Sequence, residues 1–64
     1  MNLDKEIYTT REVARLLDLS PDAIREAIRA GKLKAEKFSR DYVITRKGLA
    51  DYLEYRERRD HGKH

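Results

Sequence analysis

Two helical segments lie too close together in this sequence for a flexible loop to join them. The stretch TTREVARLLDLSPDAIREAIRAG, from Thr9 to Gly31, carries a start signal for each segment and a stop signal for the second. Thr9 with Glu12 three residues later forms a capping box, and Tyr8 is placed to staple onto Val13 across it. Val13, Leu16 and Leu17 then recur at helical spacing, with small Ala14 beside them, which predicts one apolar stripe. The second segment repeats the grammar. Ser20 caps it, Pro21 takes the first helical position where its missing N–H costs nothing, Leu19 is placed to staple onto Ile24, and Gly31 closes it.

Only Asp18 and Leu19 separate the last apolar residue of the first helix from the cap of the second. Helices joined this tightly cross steeply rather than lie antiparallel, so the unit reads as a helix-turn-helix. The reversal calls for a positive φ angle, which Asp18 accepts more readily than most residues.

Around this unit the chain is simple. Residues 1–7 have mixed charge and no apolar period, and are read as a tail that becomes ordered near Ile7. Lys32 to Ile44 changes to short β-prone stretches on either side of Ser39, Arg40 and Asp41, which suggests a hairpin. A lone hairpin is marginal in water, so Phe38, Tyr42 and Ile44 are expected to lay one face on the helices. Thr45 then caps a third helix, with Ile44 and Leu49 as its staple and Leu49, Tyr52, Leu53 and Arg56 at helical spacing. Gly48 weakens its first turn, and Arg46 and Lys47 put positive charge at the positive end of its dipole; such charges are either tolerated or meet an anion. The stretch RERRDHGKH, residues 56–64, lacks apolar side chains and reads as a basic, fraying tail. The expected fold is mainly α with a small β-hairpin, in the order helix, helix, hairpin wing, helix, over residues 8–55: a winged helix-turn-helix.

A chain of 64 residues hides only about 60% of its unfolded surface, which leaves room for a core but not for a cavity. With no cysteine, neither a disulfide nor a thiolate zinc site staples it. No apolar run approaches a membrane span and no signal pattern opens the chain, so the expected setting is soluble and cytoplasmic. Catalysis is not expected either. Both histidines, His61 and His64, lie in the terminal stretch with no third metal ligand in view, and no glycine-rich phosphate loop accompanies a Lys or Ser. No cofactor or metal is implied.

Charge is distributed unevenly. Residues 1–19 hold three basic and four acidic side chains, whereas residues 20–64 hold twelve basic and eight acidic, so positive potential begins with the second helix. On a helical wheel of residues 21–30, Ile24, Ala27 and Ile28 face one way, and Asp22, Arg25, Glu26 and Arg29 the other. In a helix-turn-helix this outer arc enters the major groove, where Arg makes bidentate contacts to guanine and Asp or Glu accepts from cytosine. Arg25 and Arg29 are the first candidates, with Ser20 and the helix N-terminus offering hydrogen bonds to phosphate. Lys34, Lys37 and Arg40, on and beside the hairpin, suit the DNA backbone or the minor groove. The same outer arc also fits a solvated surface helix whose arginines pair with their acidic neighbours, or a protein-interaction module that uses Asp22, Glu26, Asp41 or the tail to hold a partner.

The segments YTTREVARLLDLSPDAI, AIRAGKL and KFSRDYVITR together resemble the excisionase-like branch of the MerR-type winged helix-turn-helix proteins, over about Tyr8 to Tyr52. The resemblance implies a small double-stranded DNA-binding protein of a bacterial or phage-type, nucleoid-associated kind. Its role would be excision, as a recombination directionality factor working with an integrase-type recombinase, or transcription regulation through the transcription machinery. Carried over by position, it implies Ser20, Asp22, Arg25, Glu26 and Arg29 on the recognition helix and Lys37 and Arg40 at the wing. Asp18 stands where the family often has glycine, and Ser39 and Asp41 stand where glycine and a second arginine are usual. Longer MerR-type regulators continue into a dimerising coiled coil, so the shorter form here implies a monomer that binds cooperatively at adjacent sites.

Overall fold

In the computed structural model, which describes residues 3–61, Thr9 sets the first helix as its neighbours require. Its hydroxyl accepts from the Glu12 N–H at 3.1 Å while the Glu12 carboxylate accepts from the Thr9 N–H at 2.9 Å. From this capping box helix α1 runs over Thr10–Leu17. Asp18 then turns the chain at φ 58°. The Leu19 N–H donates to Ala14 O at 2.8 Å and the Asp18 N–H to Arg15 O at 3.3 Å, which is the Schellman pattern. Helix α2, Pro21–Arg29, follows with Ser20 as its cap. Its end repeats the same closure, with Gly31 at φ 79° and the Lys32 and Gly31 N–H groups donating to Ala27 O and Ile28 O.

That second closure also explains a difference from the expected strands. The Leu33 N–H shares the Ala27 carbonyl at 3.2 Å, which wraps residues 32–35 back under α2 and buries Leu33 to 1% exposure. The hairpin therefore starts later, with β2 at Glu36–Phe38 and β3 at Asp41–Thr45. Ser39 and Arg40 form a two-residue loop in which only Ser39 has a positive φ, 61°, as in a type II′ turn.

The segment read as a tail up to Ile7 instead supplies a strand. Ile7–Thr9, strand β1, pairs antiparallel with β3, placing β3 at the centre of a three-stranded sheet. The partners are Ile7 with Thr45, Tyr8 with Ile44 and Thr9 with Val43, and the Arg46 N–H extends the ladder to Glu6 O at 2.9 Å. Three residues with a single buried side chain carry too little period to be seen in sequence; only the partner strand makes them a strand. Leu3 packs against the core as well.

Register also decides which face each side chain takes. Because the loop holds two residues, Phe38 pairs with Asp41 and Lys37 with Tyr42, so Phe38 lies on the sheet face opposite Tyr42 and Ile44. Ile44 is fully buried and Tyr42 packs against the core, but Phe38 remains 65% exposed; the expectation that all three share one face is corrected. On α1 the buried arc is Thr10, Val13 and Ala14 with Leu17 at its edge, and Leu16 stays exposed. Positions 10, 13, 14 and 17 share one helical face, and Leu16 falls outside that arc. Leu19, expected as a staple, keeps 36% of its surface.

Helix α3, Arg46–His61, starts on its Thr45 cap, whose hydroxyl accepts from the Gly48 N–H at 3.1 Å. Leu49 and Tyr52 complete a core of Tyr8, Val13, Ala14, Ile24, Ala27, Leu33 and Ile44. The helix continues through residues 56–61, part of the stretch read as a fraying tail; Glu and Arg are good helix formers, and Arg58 bonds Glu54 one turn back at 2.6 Å. His64 and the rest of the expected tail beyond His61 lie outside the described residues. Two crossed helices, a β2–β3 wing and a third helix closing the core make a winged helix-turn-helix.

Gly48 is where the fold departs from propensity. A Cβ there would stand 3.0 Å from the Lys34 carbonyl oxygen and 3.2 Å from the Thr45 hydroxyl, and Lys34 cannot withdraw because Leu33 is buried beside it. Gly48→Ala, which in an open helix would stabilise by about 1 kcal/mol, is expected to be destabilising here by about 1–3 kcal/mol through overpacking. The urea unfolding midpoint reads the sign directly.

The capping box is pH-sensitive in one direction. A side-chain hydrogen bond from Lys5, then the backbone hydrogen bond from Thr9, hold the Glu12 carboxyl below its ordinary value of 4.5. A lowered folded-state value means that stability from this group is complete above the ordinary glutamate range and is lost as pH falls through the lower folded value. Carboxyl-detected NMR titration is expected to show the depressed midpoint, with Lys5→Ala moving it back towards 4.5.

Candidate nucleic-acid interface

The buried side of α2 is Ile24 and Ala27, with Ile28 partly buried, which turns Asp22, Glu26 and Arg29 to solvent and leaves Arg25 at the edge. The wheel expected from sequence is the one the packing produces. Both arginines are held by acids three residues before them. Arg25 bonds Asp22 at 2.7 Å and Arg29 bonds Glu26 at 3.4 Å, with all four side chains at least 44% exposed. The solvated-face pairing raised by the sequence is therefore present. Exposed pairs of this kind are worth about 0–1 kcal/mol, so either guanidinium leaves its partner at little cost when a better acceptor arrives.

Ser20 uses its oxygen to accept from the Ala23 N–H at 3.2 Å, and its own hydroxyl proton remains a donor at the α2 N-terminus. At the wing, Arg40 occupies the second loop position, and Lys37 sits opposite Tyr42 on the face turned towards the helices. Lys34 is at the base of the hairpin instead. Its backbone lies against Gly48, which brings it beside Arg46 and Lys47 in an α3 first turn that holds no acid. The three wing-side candidates thus divide into a tip, Lys37 and Arg40, and a base, Lys34.

The wing tip and α2 are linked through α1. The Thr10 hydroxyl, in a residue only 1% exposed, donates to the Asp41 carboxylate at 3.1 Å, and the same carboxylate oxygen accepts from the Tyr42 N–H at 2.8 Å. Asp41 is thereby tied to the start of the helix that packs against α2. A model of a helix-turn-helix domain family matches residues 7–57. The chain belongs to that family. Comparison with curated proteins and with solved structures gives no match.

Membership gives the exposed face of this helix-turn-helix domain its context, because the fold suggests duplex DNA as the partner. The match begins at Ile7, the first residue of the strand that the sequence pattern did not reveal. Among the described residues no helix is long and apolar enough to cross a membrane, and no three His, Cys, Asp or Glu side chains gather as a metal site. Sequence reasoning placed Leu16 and Phe38 on the core and both are exposed; for Phe38, counting two loop residues between paired strands is the signal that would have corrected it.

Proposed function

We propose that this chain is a sequence-specific double-stranded DNA-binding protein, of excisionase-like or small transcription-regulatory type, that catalyses no reaction itself. Helix α2 enters the major groove, with Arg25 and Arg29 reading bases and Asp22 and Glu26 either accepting from cytosine or excluding other sequences. Ser20 and the α2 N-terminus meet a phosphate, Lys37 and Arg40 reach the backbone or minor groove, and Lys34 adds attraction from the hairpin base. The observation that carries this reading is the outer face of α2: two arginines one turn apart, held only by exposed ion pairs, on a helix whose other face is locked into the core.

The same ion pairs favour a second reading, in which a self-neutralised α2 face serves as a protein-interaction surface and duplex binding is weak. One titration separates the two. Labelled duplexes, one pool random and one selected from it by the chain, are measured at several salt concentrations. The DNA reading expects the selected pool to bind at least about a thousandfold more tightly, with a salt slope reporting several phosphate contacts. Weak and equal binding of both pools favours the protein partner, a recombinase or a component of the transcription machinery.

A further inference from the structure

The outer side of α1 is charged differently from that of α2. Arg11 and Arg15 stand one turn apart on it, a like-charge spacing that disfavours a helix. Arg11 is also the second residue of α1, where the dipole disfavours a cation. The acid within reach, Glu12, is already engaged, because its carboxylate accepts from the Lys5 ammonium and from the Thr9 N–H. Among the described residues neither Arg11 nor Arg15 has an ion pair, whereas Arg25 and Arg29 are each held by an acid. Leu16, one turn beyond Glu12, keeps 39% of its surface. These side chains and Tyr8 line an open groove of about 550 Å³, a volume in the range of sites that hold ligands. The groove draws on residues 5–16 alone, with nothing from α2 or the wing.

We propose that this groove docks a short acidic segment of a partner protein, with one apolar side chain seated on Leu16 and Tyr8 and carboxylates on either side of it meeting Arg11 and Arg15. The charges select the occupant. With Lys5 and Glu12 satisfied by one another, the groove presents two guanidiniums around an apolar floor, and carboxylates bound there offset the repulsion between them. The spacing fits as well, since residues four apart on a helix lie about 6 Å apart along its axis and acids two apart on an extended segment span about the same distance. A basic segment would meet Arg11 and Arg15 with like charge. A duplex backbone calls for neither an apolar floor nor a carboxylate beside the guanidiniums. Because α2 and the wing take no part, the inference stands apart from the duplex-binding reading.

The test presents the full chain with three libraries of short labelled peptides: a pair of varied apolar residues between glutamates, the same centre between lysines, and a serine centre between glutamates. Only the first is expected to yield binders, read by fluorescence anisotropy, with affinity falling as salt rises. For a selected peptide, Leu16→Ala should weaken binding about tenfold, and Arg11→Gln or Arg15→Gln each about two- to fivefold. Arg11→Glu combined with Arg15→Glu should abolish it and transfer binding to the lysine-flanked library. An acid in the first turn suits the helix dipole, and circular dichroism checks the fold of every variant. Equal binding of the serine-centred library, no binders from any library, or a selected peptide indifferent to Leu16→Ala and to the charge swap overturns the proposal. Two other results overturn it by assigning the groove elsewhere. Self-association that Leu16→Ala abolishes, with no peptide bound, gives it to a second copy; weaker binding of every duplex by Arg11→Gln and Arg15→Gln, with no peptide bound, gives the guanidiniums to phosphate. Base reading by α2 is decided separately, by the titration of selected against random duplex.

Discussion

Arg25→Ala and Arg29→Ala are each expected to weaken binding to a selected duplex by about 1–3 kcal/mol and to relax base preference at one position. Neither substitution should unfold the chain, since each arginine's folded-state partner is an exposed carboxylate on its own helix. Random duplex should lose much less, because it offers phosphate but no fixed guanine edge. The wing supplies the contrast: Lys37→Ala or Arg40→Ala should weaken all sequences alike and lower the salt slope by about one. The acids supply a second. Asp22→Asn with Glu26→Gln removes repulsion from phosphate, so affinity for random duplex should rise while discrimination falls. Fluorescence anisotropy on selected and random duplexes at two salt concentrations reads every arm. Unchanged affinity in both arginine variants, with helical content intact, would remove α2 as the base-reading element.

What the sequence made legible was local chemistry. Thr9 with Glu12, Ser20 with Pro21, Asp18 at its turn and Thr45 before α3 all act within a few residues of themselves, and each does in the structure what its neighbours implied. What it concealed depends on partners distant in the chain. Ile7–Thr9 is a strand only because Val43–Thr45 lies beside it. Gly48 looks like a weak helix residue until the Lys34 carbonyl is seen 3.0 Å from its missing Cβ. Phe38 reads as core by hydrophobicity and is turned outward by a two-residue loop. The outer arc of α2 was legible because a helical wheel is local. The tie that fixes the wing was not, because Thr10 and Asp41 are 31 residues apart.

Ile24→Ala is expected to be the most damaging single truncation on α2, and in a way that separates folding from recognition. Ile24 is fully buried, in one core with Val13 and Ala14 of α1, Leu33, Ile44 of the central strand and Leu49 of α3, so its loss leaves a cavity that no flexible neighbour fills. Such truncations cost about 2–5 kcal/mol, against the roughly 3–5 kcal/mol that a single core supplies at this size. The variant should therefore be largely unfolded at 25 °C by circular dichroism, while Ile24→Val, at about 0.5–1.5 kcal/mol, should stay folded with a lower melting temperature. In the proposed function duplex binds only the folded form, so a selected duplex at a hundred times its intrinsic Kd would contribute about 2.7 kcal/mol. Helical signal in Ile24→Ala should then return as duplex is added. Arg25→Ala gives the opposite pattern, full helicity with weakened binding, so the two variants together assign the outer face of α2 to contact and its inner face to stability.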